Sequence, residues 1–96
     1  MADRVWKFRL TNIDARHRAF IAMPASARPL SVGVQDGGLF VWALCDPEHD
    51  VEFGLEPTLH RFIVANTGSE IPAFPDRARF LGTVSNNGIV FHVWAA

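Results

Sequence analysis

The sequence predicts a small all-β fold, a single-domain antiparallel barrel or roll built from hairpins, with about seven strands. Two tight-turn signals lead to this prediction: Asp36-Gly37-Gly38 and Asn86-Asn87-Gly88 each stand between β-forming residues. Asp-Gly and Asn-Gly accept the positive φ angles that two-residue hairpin turns require. In addition, no amphipathic helix pattern, internal repeat or low-complexity segment interrupts the apolar stretches. A chain of 96 residues can build one core, so residues 1–96 are expected to form one domain.

The first two strands are predicted from apolar residues near the beginning of the chain. Val5–Leu10 alternates in character, which is typical of a half-buried strand. Trp6 and Phe8 share one face of it, and both rings are therefore placed in the predicted core. Phe20–Met23 is expected as a second strand that Pro24 ends, because proline has no backbone N–H to donate.

The first hairpin is expected over Leu30–Cys45, with Asp36-Gly37 as the central pair of its turn. One face of this ribbon is aliphatic, and the opposite pairs that the register predicts on it are Val34 with Leu39, Val32 with Val41 and Leu30 with Ala43. On the other face Phe40 lies across from Gly33, and Trp42 likewise lies across from a small residue, so each ring can cover exposed backbone. Two apolar faces on one ribbon indicate a central position or a surface that a partner covers.

The middle of the chain is predicted to hold one strand between two connections. The stretch Glu48–Pro57 is interpreted as a loop with one short turn. Leu59–Ala65 is expected to be a central strand, in which Phe62 and Val64 share one face. Residues 66–77 are expected to be irregular, because turn residues and prolines concentrate there.

The last hairpin is expected over Phe80–Trp94, with its turn centred on Asn87-Gly88 or on Asn86-Asn87. In both registers the same side chains share a face of the hairpin. The side without hydrogen-bonding groups is the predicted core face, and it holds Phe80, Gly82, Val84, Ile89, Phe91 and Val93. The opposite side holds Leu81, Thr83, Val90, His92 and Trp94.

Composition and charge exclude several classes of protein. Hydrophobic residues make up 49% of the chain and charged residues 20%, which is too apolar for a disordered chain, and no apolar run has the length of a membrane span. A net charge of −1 gives no global field to attract nucleic acid or an anionic membrane, so neither is expected as a partner. The first residues lack a signal-peptide layout and Cys45 has no second cysteine to pair with, so the cytoplasm is the expected location.

No pattern of residues predicts catalysis, a cofactor or a metal site. The histidines stand in no close-set pair, so His60 and His92 are interpreted as half-buried strand histidines with one bonded nitrogen. Cys45 is expected to pack rather than to react. Three acids alternate in Glu48–Glu52 and would share one side of an extended chain, but a solvated acidic loop is preferred over a weak cation site.

Two kinds of binding surface remain as hypotheses. Aromatic residues exceed what so small a core needs, which indicates a surface for a protein partner or for a second copy of the chain. The side chains predicted to form it are Phe20, Phe40, Trp42 and Trp94. The alternative is a pocket for a small ligand such as a nucleotide signal. Its predicted residues are Arg61, Thr67, Gly68 and His92.

Several short motifs, spread along nearly the whole chain, resemble those of a known family. They are Val5-Trp6-Lys7-Phe8, Met23-Pro24, Trp42-Ala43-Leu44-Cys45-Asp46-Pro47, Phe80-Leu81-Gly82-Thr83 and Val90-Phe91-His92-Val93. In these the chain resembles a family of short, uncharacterised proteins from bacteria and their phages. Members of that family tend to carry Gly-Thr-Gly-His before Ile-Pro, whereas this chain has Asn66-Thr67-Gly68-Ser69-Glu70 there, so no function of that histidine is implied. The resemblance implies a phage or prophage context and supplies no activity.

The favoured interpretation is a non-enzymatic, self-associating accessory protein of phage or prophage type. It would act by binding a protein of the host, for example by blocking a defence nuclease, and would work in the host cytoplasm. Binding or sequestering a small ligand is the alternative function.

Overall fold

The strands lie in two antiparallel sheets, and a short helix follows the fourth strand. The structure is a computed structural model that describes residues 3–71 and 74–96. The elements are β1 (Arg4–Leu10), β2 (Arg18–Met23), β3 (Arg28–Gln35), β4 (Gly38–Cys45), α1 (Pro47–Glu52), β5 (Thr58–Asn66), β6 (Arg79–Asn86) and β7 (Ile89–Ala95). Sheet A has the strand order β1-β4-β3 and sheet B the order β2-β5-β7-β6. The predicted all-β class is confirmed, as an open roll or sandwich rather than a closed barrel.

The β3–β4 hairpin forms as predicted near its turn and departs from the prediction farther away. Asp36 and Gly37 have φ angles of 51° and 75°, as the tight turn requires. The pairs next to the turn are the predicted ones, Val34 with Leu39 and Val32 with Val41. A β-bulge at Leu30 then places Pro29, instead of Leu30, opposite Ala43. The bulge adds one residue to β3 and turns Leu30 out of the core.

The β6–β7 hairpin selects one of the two registers that the sequence left open. Asn87 and Gly88 form the turn, with φ angles of 52° and 79°. A second β-bulge lies at Leu81 and reverses the facing of the residues beyond it. Leu81 therefore packs against the core, while Phe80 pairs with Trp94 on the outer side and is 54% exposed. The prediction that Phe80 belongs to the core is wrong for this reason.

The core lies between the inner faces of the two sheets. Its largest fully buried side chains are Phe62, Met23, Val41, Val64, Val93 and Cys45. Phe8 packs against this core as predicted. Trp6 does not belong to it, since 40% of its surface is exposed. The ring lies near the beginning of β1, an edge strand of sheet A, where it is only partly covered.

The helix α1 stands where the sequence predicted a loop with one short turn. The Asp46 side chain accepts a hydrogen bond from the His49 N–H at 3.1 Å and so caps the helix, and Pro47 occupies its first turn. The residues flanking Pro72 and Ala73, which lie outside the described residues, form no helix or strand, as expected for this stretch. Within residues 3–71 and 74–96, no helix is long and apolar enough to cross a membrane.

The two hairpin turns lie together at one end of the molecule, which we call the hairpin end. The Asn86 side-chain amide donates to the Gly37 carbonyl at 3.2 Å and joins the two turns. Thr67 lies at the same end, because its N–H donates to the carbonyl of Val90, two residues after the second turn. Asp46 follows the far end of β4 and lies at the opposite end, which we call the helix end. The loops at Asp46 and Thr67 therefore do not form one site.

Candidate functional site

The outer surface of sheet B, face B, carries both aromatic and polar side chains. Strand pairing places on it Arg18, Phe20, Leu59, Arg61, Ile63, Phe80, Thr83, Val90, His92 and Trp94. One row crosses all four strands, from Arg18 through Ile63 and Trp94 to Phe80. Trp94 and Phe80 lie in the middle and at one edge of this row, whereas Phe20 lies on β2 at the opposite edge of the sheet. His92 and Thr83 lie toward the hairpin end.

An aromatic cluster centres on Trp94. The Phe74 ring meets it edge-on with centroids 5.1 Å apart, and the Phe80 ring lies 5.6 Å away. Ile63, the direct neighbour of Trp94, is only 3% exposed although it lies on the outer side of the sheet and outside the central core. Face B thus has a small apolar cluster of its own.

Two further large apolar side chains of face B are exposed on β2 and β5, away from this cluster. Phe20 is 47% exposed and Leu59, one row farther along the same two strands, is 70% exposed. The Arg18 guanidinium lies 5.9 Å from the centre of the Phe20 ring and also pairs with Asp14 at 3.0 Å. The Asp14 carboxylate also accepts the Arg18 and Arg16 N–H groups. These bonds, the one from the Arg18 N–H foremost, lower the pKa of Asp14.

His92 is held between two threonines at the hairpin end of face B. Its Nε2 lies 2.8 Å from the Thr67 hydroxyl and its Nδ1 lies 2.9 Å from the Thr83 hydroxyl. A neutral imidazole has one donor and one acceptor, and a hydroxyl can supply either complement. Both ring nitrogens are therefore occupied within the chain, and the ring ties the turn after β5 to β6 and β7.

The remaining residues of the predicted ligand site do not converge on His92. Gly68 lies in the turn beside Thr67 with a φ of 90°, which favours glycine. Arg61 is on the same face, but it precedes Ala65, the residue opposite His92, by four positions on β5. That separation is about 13 Å along a strand.

The outer surface of sheet A, face A, holds the other two predicted partner-binding residues. Strand pairing places on it Val5, Lys7, Arg9, Arg28, Ser31, Gly33, Phe40, Trp42 and Leu44. The four predicted aromatic residues are thus divided between opposite sides of the molecule, Phe20 and Trp94 on face B and Phe40 and Trp42 on face A. Sequence alone could not show this division, because it depends on which strands share a sheet.

Two cations and a glycine position the rings of face A. Lys7 Nζ lies 4.8 Å and Arg9 Cζ 5.6 Å from the centre of the Phe40 ring. The Trp42 ring covers Gly33, where an added Cβ would lie 3.0 Å from Trp42 Cζ3. A ring over strand glycine was predicted, but the ring that does this is Trp42, the diagonal neighbour, and not Phe40 directly opposite.

A polar cleft at the helix end was missed by sequence reasoning. It has a volume of about 280 Å³ and is lined by Asp3, Ser26, Arg28, Leu44, Asp46 and His49. The capping sequence Asp46-Pro47 before His49 is the signal that could have placed a helix start there. Within the described residues, no group of three or more His, Cys, Asp or Glu side chains could hold a metal ion.

Asp50 is buried and contacts two residues that line this cleft, Ser26 and His49. The helix removes it from the acidic row predicted for an extended chain, and it is only 6% exposed. Its carboxylate accepts the Ser26 N–H at 3.4 Å and lies 3.3 Å from His49 Nδ1. Hydrogen bonding from the Ser26 side chain, followed by that from His49, holds the pKa of Asp50 below its ordinary value. The expectation of a solvated acidic loop is therefore wrong for Asp50.

The other candidate reactive groups are engaged in structure. His60 Nε2 lies 3.1 Å from the Pro24 carbonyl and 3.2 Å from the Thr58 hydroxyl, in agreement with a half-buried strand histidine. Cys45 is buried and its thiol donates to the Ala43 carbonyl at 3.7 Å. Burial, with a smaller effect of Asp50, raises the pKa of the Cys45 thiol, which favours the unreactive protonated form.

Comparison with known proteins identifies a family along the whole chain. The model of a domain of unknown function, DUF7352, matches residues 1–96. The chain belongs to this family. No curated protein and no solved structure matches it. DUF7352 membership agrees with the resemblance to uncharacterised proteins and assigns no activity, so the function has to be argued from faces A and B.

Proposed function

We propose that this DUF7352 protein is a non-enzymatic binding protein that recognises a protein partner through face B. The observation that carries the proposal is that large apolar side chains of face B are about half exposed or more, namely Phe80 beside Trp94 and, toward the other edge of the sheet, Phe20 and Leu59. Large exposed apolar patches mark interaction sites on soluble proteins, and the three side chains lie on one face of sheet B.

The composition of face B suits a protein interface. Aromatic rings and arginine are the residues most enriched at the centres of such interfaces, and the face combines rings with Arg18 and Arg61. Burying the exposed half of one phenylalanine ring is worth about 1 kcal/mol. Two such rings and Leu59 would supply a substantial part of the energy of a stable complex.

The chemistry of three candidate reactive groups, His92, His60 and Cys45, supports binding over catalysis. His92 has both nitrogens bonded to threonines, His60 is bonded to a backbone carbonyl, and Cys45 is buried. A general base or nucleophile needs a free polar atom within reach of a substrate. The same saturation of His92 makes the small-ligand alternative at Arg61, Thr67 and Gly68 the weaker proposal.

We also propose that the protein works in a host cell infected by a phage or carrying a prophage. The resemblance to phage-associated chains supports an origin in a phage or prophage, and a host protein, such as a component of a defence system, is then the expected partner. The protein would act in the host cytoplasm. We propose that the chain also self-associates through face B, because a second copy presents the same apolar residues.

Affinity capture with matched variants tests the proposal. Phe20→Ser combined with Phe80→Ser should abolish recovery of the partner from a host lysate, because both side chains lie on face B. Phe53→Ser is the control, since Phe53 is equally exposed but lies beyond α1. Sedimentation velocity of the same variants reports self-association. Equal recovery with all three proteins, or no enriched partner and a monomer at every concentration, would contradict the proposal.

A further inference from the structure

We propose that face A binds single-stranded nucleic acid. This inference is independent of the proposed function, because it uses the opposite side of the molecule. The net charge of the chain predicted no such partner, but the fold distributes the charges unevenly and concentrates cations on one sheet surface.

Cations border the central strand of face A. Lys7 and Arg9 lie on β1 directly opposite Trp42 and Phe40, and Arg28 lies on β3 opposite Leu44. None of the strand residues that form this face is acidic, and in the described part of the chain Lys7 and Arg9 make no ion pair. Arg28 differs from them because it lines the polar cleft together with Asp3 and Asp46. Arg18 on face B differs, since Asp14 neutralises it. On face A, Lys7 and Arg9 are therefore not neutralised by an acidic side chain and can contact phosphate groups.

The acidic residues are collected elsewhere. Five of the ten lie within residues 46–56, which contain no lysine or arginine: Asp46, Glu48, Asp50, Glu52 and Glu56. Most of them belong to α1 and its flanks at the helix end. The small net charge thus hides a separation between an acidic end and a basic sheet surface, and a polyanion would be attracted to the latter.

Aromatic rings lie among these cations. Phe40 and Trp42 project from the central strand with ring centroids 6.3 Å apart, and both are partly exposed. On the β3 side their neighbours are Ser31 and Gly33, which are too small to bury them. Surfaces that bind single strands without sequence preference combine such rings, on which bases stack, with cations that contact the backbone.

The cations are held next to the stacking surface rather than scattered. Lys7 and Arg9 both lie within cation–π distance of the Phe40 ring. Lys7 is also bonded to the Gln35 side-chain oxygen. These two side chains lie over the Phe40 ring, so a base that stacks there would displace them and bring its phosphate within their reach. This combination fits a nucleic acid strand better than an acidic peptide, which has charges but few planar groups to stack.

Fluorescence anisotropy with a labelled oligothymidylate tests the proposal on the full chain. At low salt we expect dissociation constants of micromolar order, with affinity falling as salt rises. Lys7→Gln combined with Arg9→Gln should lower the slope of log affinity against log salt by about 1.4, since each lost contact to a single strand contributes about 0.7. Phe40→Leu, which keeps an apolar side chain, should weaken binding by about fivefold or more.

The matched control removes the same charge from other surfaces. Arg16→Gln combined with Arg77→Gln should leave both the affinity and the salt slope unchanged, because both side chains are exposed and neither lies on face A or face B. Circular dichroism confirms that each variant is folded. No binding at low salt, or equal loss in the control, would overturn the proposal. Unchanged binding by Phe40→Leu, with inorganic polyphosphate competing as well as the oligonucleotide, would also overturn it by showing attraction to any polyanion.

Discussion

The His92 ring links separate segments of the chain on face B through two hydrogen bonds. The two threonines that hold it come from different parts of the chain, Thr67 after β5 and Thr83 within β6. The ring fixes the hairpin end of face B, where both nitrogens are satisfied. We interpret the residue as a structural link, because it retains no polar atom for a substrate.

Replacing Thr83 by valine should therefore destabilise the fold. The variant keeps the shape of the side chain but leaves one nitrogen of His92 without its partner, so the free energy of unfolding should fall by about 1 kcal/mol. Urea denaturation measures it. Ser85→Ala on the same strand serves as the control and should have a smaller effect. Equal stability of Thr83→Val and the wild-type chain would show that this hydrogen bond contributes nothing.

Asp50 predicts how stability depends on pH. Its pKa in the folded chain lies below the ordinary value of 3.8, so the charged form stabilises the fold fully above that value. The contribution disappears as the pH falls below 3.8 through the folded pKa. Asp50→Asn removes this titration. The variant should lose less stability than the wild-type chain between about pH 5 and pH 3, measured by denaturant unfolding. An identical loss in both proteins would contradict the assignment.

The strands show which features of the fold depend only on neighbouring residues and which depend on distant contacts. Both hairpin turns were predicted from their own residues, because Asp36-Gly37 and Asn87-Gly88 satisfy a backbone requirement that needs no distant contact. The two bulges, at Leu30 and Leu81, were not predicted, since they depend on how the sheets pack. Consequently the facing of side chains was predicted correctly except on the bulged strands, where Leu30, Phe80 and Leu81 face the other way.

Substitutions at the Leu81 bulge test this reversal of facing. Leu81→Ala should lower the free energy of unfolding by about 2 kcal/mol, because the side chain packs against the core. Phe80→Ala should cost less than half as much, although the ring is larger, because it lies on the outer side. Thermal or urea unfolding of the two variants measures which one loses more stability. The opposite order would restore the pairing expected from the sequence without a bulge.

The molecule as a whole presents two different outer surfaces on a shared core. Face B is apolar around Trp94, whereas face A combines Phe40 and Trp42 with free cations. The sequence predicted surplus rings and named four of them, and it could not predict that the sheets divide them in pairs. The strand order that causes this division arises from contacts between distant segments, and the polar cleft at the helix end escaped prediction for the same reason.

The central claim is that a protein covers face B in the cell. Site-specific photocrosslinking tests it most directly, with a photoreactive phenylalanine analogue placed at Phe80 or, as the control, at Phe53. Both positions carry exposed rings, but only Phe80 lies on face B. We expect a discrete protein adduct, to a host protein or a second copy, from Phe80 and none from Phe53. No adduct from Phe80, or the same adducts from both positions, would contradict it.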